Sequence, residues 1–90
     1  MTIIVSNLAD DITENSLHEL FAAYGNVTAS RLAMDPITGN PQGFGIVIMD
    51  DVTEGNLAVK QLNNQPYMQK NLLVTEAALR NNNPTADRIY

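Results

Sequence analysis

The sequence has no cysteine, so disulfide bridges, thiol catalysis and thiolate metal ligation are all closed to it. Its one histidine, His18, excludes histidine metal clusters and paired-histidine chemistry. No apolar run comes near the ~20 residues that a membrane-crossing helix needs. No basic segment followed by an apolar stretch opens the chain. A soluble, cytoplasmic protein with no membrane association is the expectation. Positive charge is also scarce: five Lys/Arg stand against ten Asp/Glu, a net charge of −5 and an isoelectric point near 4.4. Nucleic-acid binders ordinarily carry a basic footprint, because neutralised phosphates supply much of their affinity. Here the available cations are Arg31, Lys60, Lys70, Arg80 and Arg88, so any phosphate contact has to be local.

Against those absences stand 90 residues, 44% of them hydrophobic, enough for one domain with an ordinary core. Thr2-Ile3-Ile4-Val5-Ser6-Asn7-Leu8 is β-branched and apolar, which predicts a strand over 2–7. Thr13 suits an N-cap and Glu14 a first turn. Leu17, Leu20, Phe21 and Tyr24 then recur at helical spacing until Gly25, predicting a helix over 13–24 with His18 solvated beside the stripe. Val27 to Met34 reads as a second strand, with Ser30, Leu32 and Met34 on one face and Arg31 and Ala33 on the other. Asp35 to Pro41 is dense in turn formers and reads as a loop. A third strand covers 43–49. Asp50, Asp51 and Thr53 offer caps for a second helix over 52–63, whose stripe is Ala58, Val59 and Leu62. Gly55 inside it costs about 1 kcal/mol relative to alanine. Asn63 to Pro66 breaks that helix, and Leu72 to Ala77 supplies a fourth strand. Residues 79–90 are asparagine-rich and proline-broken, which predicts a flexible C-terminal tail. There is no internal repeat.

The stretch Gln42-Gly43-Phe44-Gly45-Ile46-Val47-Ile48-Met49 opens on a glycine turn and continues apolar. It resembles the octamer Lys/Arg-Gly-Phe/Tyr-Gly/Ala-Phe-Val-x-Phe/Tyr of the RNA recognition motif. Gly43, Phe44, Gly45 and Val47 match, while Gln42, Ile46 and Met49 depart. Three more segments agree in order. The first strand is similar to the family's hexamer Leu/Ile-Phe/Tyr-Val-Gly-Asn-Leu at Ile3, Val5, Asn7 and Leu8, with Ile4 in the aromatic position. The loop resembles Asp-Arg-Glu-Thr-Gly-Arg-Ser-Arg/Lys at Asp35, Thr38 and Gly39, with Pro36, Asn40 and Gln42 where basic residues usually stand. Met68 to Ala77 is similar to the Met-Gly-Arg-x-Leu-x-Val-x-Glu-Ala ending of small single-domain bacterial members. The resemblance spans residues 2–78. It implies an α+β, ferredoxin-like βαββαβ sandwich: a four-stranded antiparallel sheet with two helices on one face. It divides the chain into an RNA recognition motif domain over 1–78 and the tail.

In that family RNA bases stack on the open sheet face. Alternation sends Ile3, Val5, Gly45, Val47, Met49, Leu72 and Val74 toward the helices. The RNA-binding residues that the resemblance implies are Ile4, Ser6, Arg31, Gln42, Phe44, Ile46, Ile48, Leu73, Thr75 and Arg80. Of three stacking positions only Phe44 keeps a ring. Each base–aromatic stack contributes about 1–3 kcal/mol, so the expectation is a weak binder of single-stranded RNA. A second reading stays open, in which Ile4, Ile46, Ile48 and Leu73 beside Phe44 form a protein interface or a self-association face with little RNA binding. Ile89-Tyr90 of the tail is a third candidate to cover it. No cofactor, metal or catalysis is expected. Asp10-Asp11 and Asp50-Asp51 precede helices, where anions are favourable in any case, and no nucleophile–base pair is present. Asn26-Val27-Thr28 fits a glycosylation sequon but has no secretory signal to go with it.

Overall fold

Alternation along the strands decides the layers. The structure is a computed structural model that describes residues 1–77. Its elements run β1 (Thr2–Ser6), α1 (Glu14–Ala22), β2 (Val27–Met34), β3 (Pro41–Met49), α2 (Val52–Leu62), β4 (Pro66–Tyr67), β5 (Lys70–Asn71) and β6 (Leu73–Glu76). Ile3, Val5, Val47, Met49, Leu72 and Val74 are all buried, and they pack with Leu17 and Phe21 of α1 and Ala58 and Leu62 of α2. Leu8, Ala9 and Ile12 of the β1–α1 connection are also buried; the strand and helix periods stop short of them. The main sheet has the order β2-β3-β1-β6, with β1 antiparallel to β3 and β6, and β2 antiparallel to β3. This is the ferredoxin-like arrangement. Among the described residues no helix is long and apolar enough to cross a membrane.

Both helices start where their caps predict. Thr13 accepts from the Ser16 amide at 3.0 Å, and Asp51 accepts from the Glu54 amide at 3.0 Å. Asp10-Asp11 does not cap α1. Gly25 does not close α1 either: the helix ends at Ala22, and the Tyr24 amide tightens onto the Phe21 carbonyl at 2.9 Å. The space a Gly25 side chain would need is filled by Glu54, whose carboxylate accepts from the Asn26 amide at 3.2 Å. In α2, Gly55 is buried, with the Met1 thioether in the place of its missing methyl.

Two boundaries differ from the sequence expectation. β3 begins at Pro41, not at Gly43, with Pro41 opposite Met34. A proline is tolerated at the first residue of a strand, where its missing N–H is not needed. The stretch 66–71 forms a second, two-stranded sheet, β4 with β5. Its two linking residues, Met68 and Gln69, have φ of 53° and 71°, both positive as a type I′ turn requires. The tail and Arg80 lie outside the described residues.

Gly45 is required by packing. A β carbon there would stand 2.6 Å from the Arg31 carbonyl oxygen and 3.0 Å from Leu17 Cδ2. Gly45→Ala is therefore expected to destabilise the fold by about 1–3 kcal/mol through overpacking, read from the urea midpoint. Gln69→Gly should act the other way. It relieves a left-handed residue at the cost of some chain entropy, for a net gain of about 0.5–1 kcal/mol in the same measurement.

Candidate nucleic-acid interface

The register across the four strands builds the open face row by row. In one row Ser6 lies between Phe44 and Leu73. In the next, Ile46 stands between Arg31 and Ile4, and Ile4 is followed by Thr75. In the third, Ile48 stands between Ala29 and Thr2. Adjacent strands lie about 4.8 Å apart, so the face is about 14 Å across. Phe44 and Ile46 are each 41% exposed and Leu73 is 51% exposed, while Ile4, Ser6 and Ile48 are half-buried among them. Arg31, Gln42 and Thr75 are exposed. Nine of the ten residues singled out from the sequence thus lie on or beside one surface, and Arg80 falls outside the described residues.

Charge is segregated on this molecule. The three rows contain one guanidinium, Arg31, and no carboxylate, although the chain carries −5. Among the described residues the acids lie elsewhere: Asp10 and Asp11 before α1, Glu14 and Glu19 in it, Asp35 in the β2–β3 loop, Asp50, Asp51 and Glu54 around the start of α2, and Glu76 at the end of β6, outside the three rows. Lys70 sits in β5 beside Asn71, whose carbonyl accepts from Nδ2 of Asn7, the residue that follows β1, at 2.7 Å. This puts the Lys70 backbone near the Ser6 end of the face. Lys60 is on α2, in the opposite layer.

A bulge sets the position of Phe44. Leu32 faces Gly45 but Met34 faces Pro41, so one two-residue step along β2 spans four residues of β3. Gly43 inside this bulge has φ of 87°, and its carbonyl accepts from the Leu8 amide at 2.9 Å. Bulges bend a strand and re-aim the side chains beside them. The glycines flanking Phe44 are the only mark of this in the sequence.

The β2–β3 loop is held by two side chains, Asp35 and Thr38, whose Oγ1 accepts from the Asn40 amide at 3.3 Å. Asp35 Oδ1 accepts from the Ile37 amide at 2.8 Å and the Thr38 amide at 3.3 Å. The Asp35 backbone bonds to Asn40 and Gly39, each at 2.8 Å. Ile37 stands at the tip, 91% exposed. The sequence reading passed over it, although it occupies the position of a glutamate in the resembled loop.

As chemistry, the face offers one aromatic ring, an aliphatic floor, three hydroxyls and a cation. That set can stack, pack and hydrogen-bond an unpaired base. The model of the RNA recognition motif family matches residues 3–73. The chain belongs to that family. Its relatives include RbpB of Nostoc sp., named as an RNA-binding protein, which is 40% identical over 80 residues, 89% of this chain and 78% of RbpB. The crystal structure of RNA binding protein PG1 superposes with a TM-score of 0.85 at 38% identity, over 89% of this chain and 96% of that one. A Sxl-lethal protein in complex with RNA gives a TM-score of 0.83 at 30% identity, over 90% of this chain and 48% of that one.

Within this RNA recognition motif, Gly43→Ala forces a β carbon into a left-handed conformation. The expected cost is about 1 kcal/mol of stability. The ring signals of Phe44 should shift in the NMR spectrum, while those of α2 stay in place.

Proposed function

We propose that this domain binds single-stranded RNA weakly, in the micromolar range or poorer, through the open sheet face. The observation that carries the reading is an exposed Phe44 on a carboxylate-free surface of an otherwise acidic chain. Phe44 is the stacking platform. Ile4, Ile46, Ile48 and Leu73 supply apolar contact to neighbouring bases, and Ser6, Gln42 and Thr75 supply hydrogen-bonding groups. Arg31, with Arg80 from beyond the described residues, meets phosphate or base edges. Two lost rings remove roughly 2–6 kcal/mol of stacking relative to a three-ring face, and aliphatic contact recovers part of it. The domain acts as a binding module without catalysis or cofactor, in the cytoplasm and away from membranes. The RNA-binding name of RbpB supports the reading.

The exposure of Phe44, Ile46 and Leu73 together favours one other reading, association with a protein or a second copy through the same face. Analytical ultracentrifugation tests the second copy and a pull-down tests a protein partner. A mass that rises with concentration, or a captured partner, either of them lost in Ile46→Lys, supports association, whereas a strict monomer with no complex disturbed by Ile46→Lys supports the RNA reading.

An NMR titration with mixed short RNAs should perturb residues of β1, β3 and β6 ahead of those on the helices. Phe44→Ala should weaken binding by about 1–3 kcal/mol. With two or three phosphates neutralised, affinity should fall with salt at a slope of roughly −1.5 to −2, given about 0.7 per phosphate on a single strand. Nanomolar affinity, or indifference to Phe44→Ala, would place the RNA contacts elsewhere.

A further inference from the structure

An open sheet has two edges, and each presents main-chain N–H and C=O groups that a strand of another molecule can pair with. At the β6 edge those groups are engaged over Leu72 to Val74. The Leu72 amide donates to the Gln65 carbonyl at 2.9 Å, the Asn64 amide to the Leu72 carbonyl at 2.7 Å, and the Val74 amide to Asn63 Oδ1 at 3.0 Å. β2 is the opposite edge, with no strand beyond it. It is eight residues long and holds no proline or lysine, the residues that commonly blunt an edge. Register breaks lie between Val27 and Ala29 and between Leu32 and Met34, so Ala29 to Leu32 form its regular part. Ser30 and Leu32 have the same parity there, and their main-chain groups point the same way. The Leu32 amide donates not to β3 but to Oε2 of Glu14 at 3.1 Å, and Ser30 Oγ donates to the Glu14 carbonyl at 3.4 Å. The first residue of α1 thus sits against the regular part of the outer edge.

We infer that Glu14 shuts the β2 edge against pairing with the β2 of a second copy of this chain. The Leu32 N–H that an antiparallel ladder needs is engaged by a carboxylate, which has no proton of its own to offer an incoming strand. A second copy is the partner this edge fits, because β2 meeting β2 about a twofold axis is self-complementary in donors and acceptors. Pairing of β2 with the β6 of another copy would propagate without closing, and the bonds over Leu72 to Val74 obstruct that route. The inference goes beyond RNA binding and does not rest on it. It concerns the rim of the sheet, whereas Phe44 and Ile46 lie on its face.

The full chain is followed by sedimentation over a range of concentrations at about 0.15 M salt. Screening there confines repulsion between two chains of charge −5 to about 8 Å. Wild type and Glu14→Gln, which keeps an oxygen acceptor, should show no association that survives Ile46→Lys. Glu14→Ala should show a mass rising toward twice that of one chain. Adding Ile46→Lys to Glu14→Ala should leave that mass in place, because the contact is on the edge. Hydrogen exchange locates it. In wild type the Leu32 amide should exchange about tenfold more slowly than the Ser30 amide. In dilute Glu14→Ala that difference should vanish, and at high concentration both amides should slow. Glu14 is exposed and Thr13 still caps α1; Glu14→Ser repeats the test if Glu14→Ala fails to fold. Lower stability with an unchanged mass overturns the inference and leaves Glu14 as a tie between α1 and β2. A wild-type Leu32 amide that exchanges as fast as that of Ser30 overturns it too, as does a wild-type dimer indifferent to Ile46→Lys.

Discussion

The close seat of α1 on the sheet at Gly45 is the contact on which the rest depends. Leu17 and the Arg31 carbonyl occupy the space a side chain would need there. The helix can approach that far only if the buried parity of β3 is 45, 47 and 49. The register then assigns Ile3 and Val5 of β1 and Val74 of β6 to the same layer. A slip of one residue would turn every side chain of a strand to the other face. The row of Phe44, Ser6 and Leu73 is thus what remains once the core has taken its share. The core and the proposed binding face are written on alternate residues of the same strands.

Much of this was legible because alternation and capping are local signals. Every residue assigned to the helix side is buried, and the two caps act at Thr13 and Asp51. What failed to show has physical reasons. β4 and β5 are two residues each, too short for a period to register. Their turn uses Met68 and Gln69 where glycine or asparagine would have announced positive φ. Gly25 looked like a helix stop, yet its lack of a side chain serves Glu54, 29 positions away in the chain. For the site, parity alone placed Ile4, Ser6, Arg31, Phe44, Ile46, Ile48, Leu73 and Thr75. The bulge at Gly43 and the exposure of Ile37 depend on register and loop hydrogen bonds, which no single window of sequence reports.

Net charge misleads when it is read as a property of the whole surface. The acids of this chain serve helix starts and loops: Asp51 caps α2, Asp35 holds the β2–β3 turn, and Glu54 bridges to Asn26. The sheet rows are left nearly neutral. Screening shortens the reach of the acids to about 8–10 Å at ordinary ionic strength. The field that a molecule meets at the face is therefore set by Arg31 and its apolar neighbours more than by the total.

The strand order has a bearing on how the protein is made. β1 is the first strand of this domain to be made, and its partners are β3 and β6, with Ile3 opposite both Val47 and Glu76. Until residues 73–76 emerge, one edge of β1 has no neighbour, and Ile3 and Val5 lack the cover that Leu72 and Val74 provide. Such long-range pairing closes late and exposes a strand edge in the interim. A nascent chain of this domain keeps β1 unpaired until β3 emerges and half-paired until β6 does.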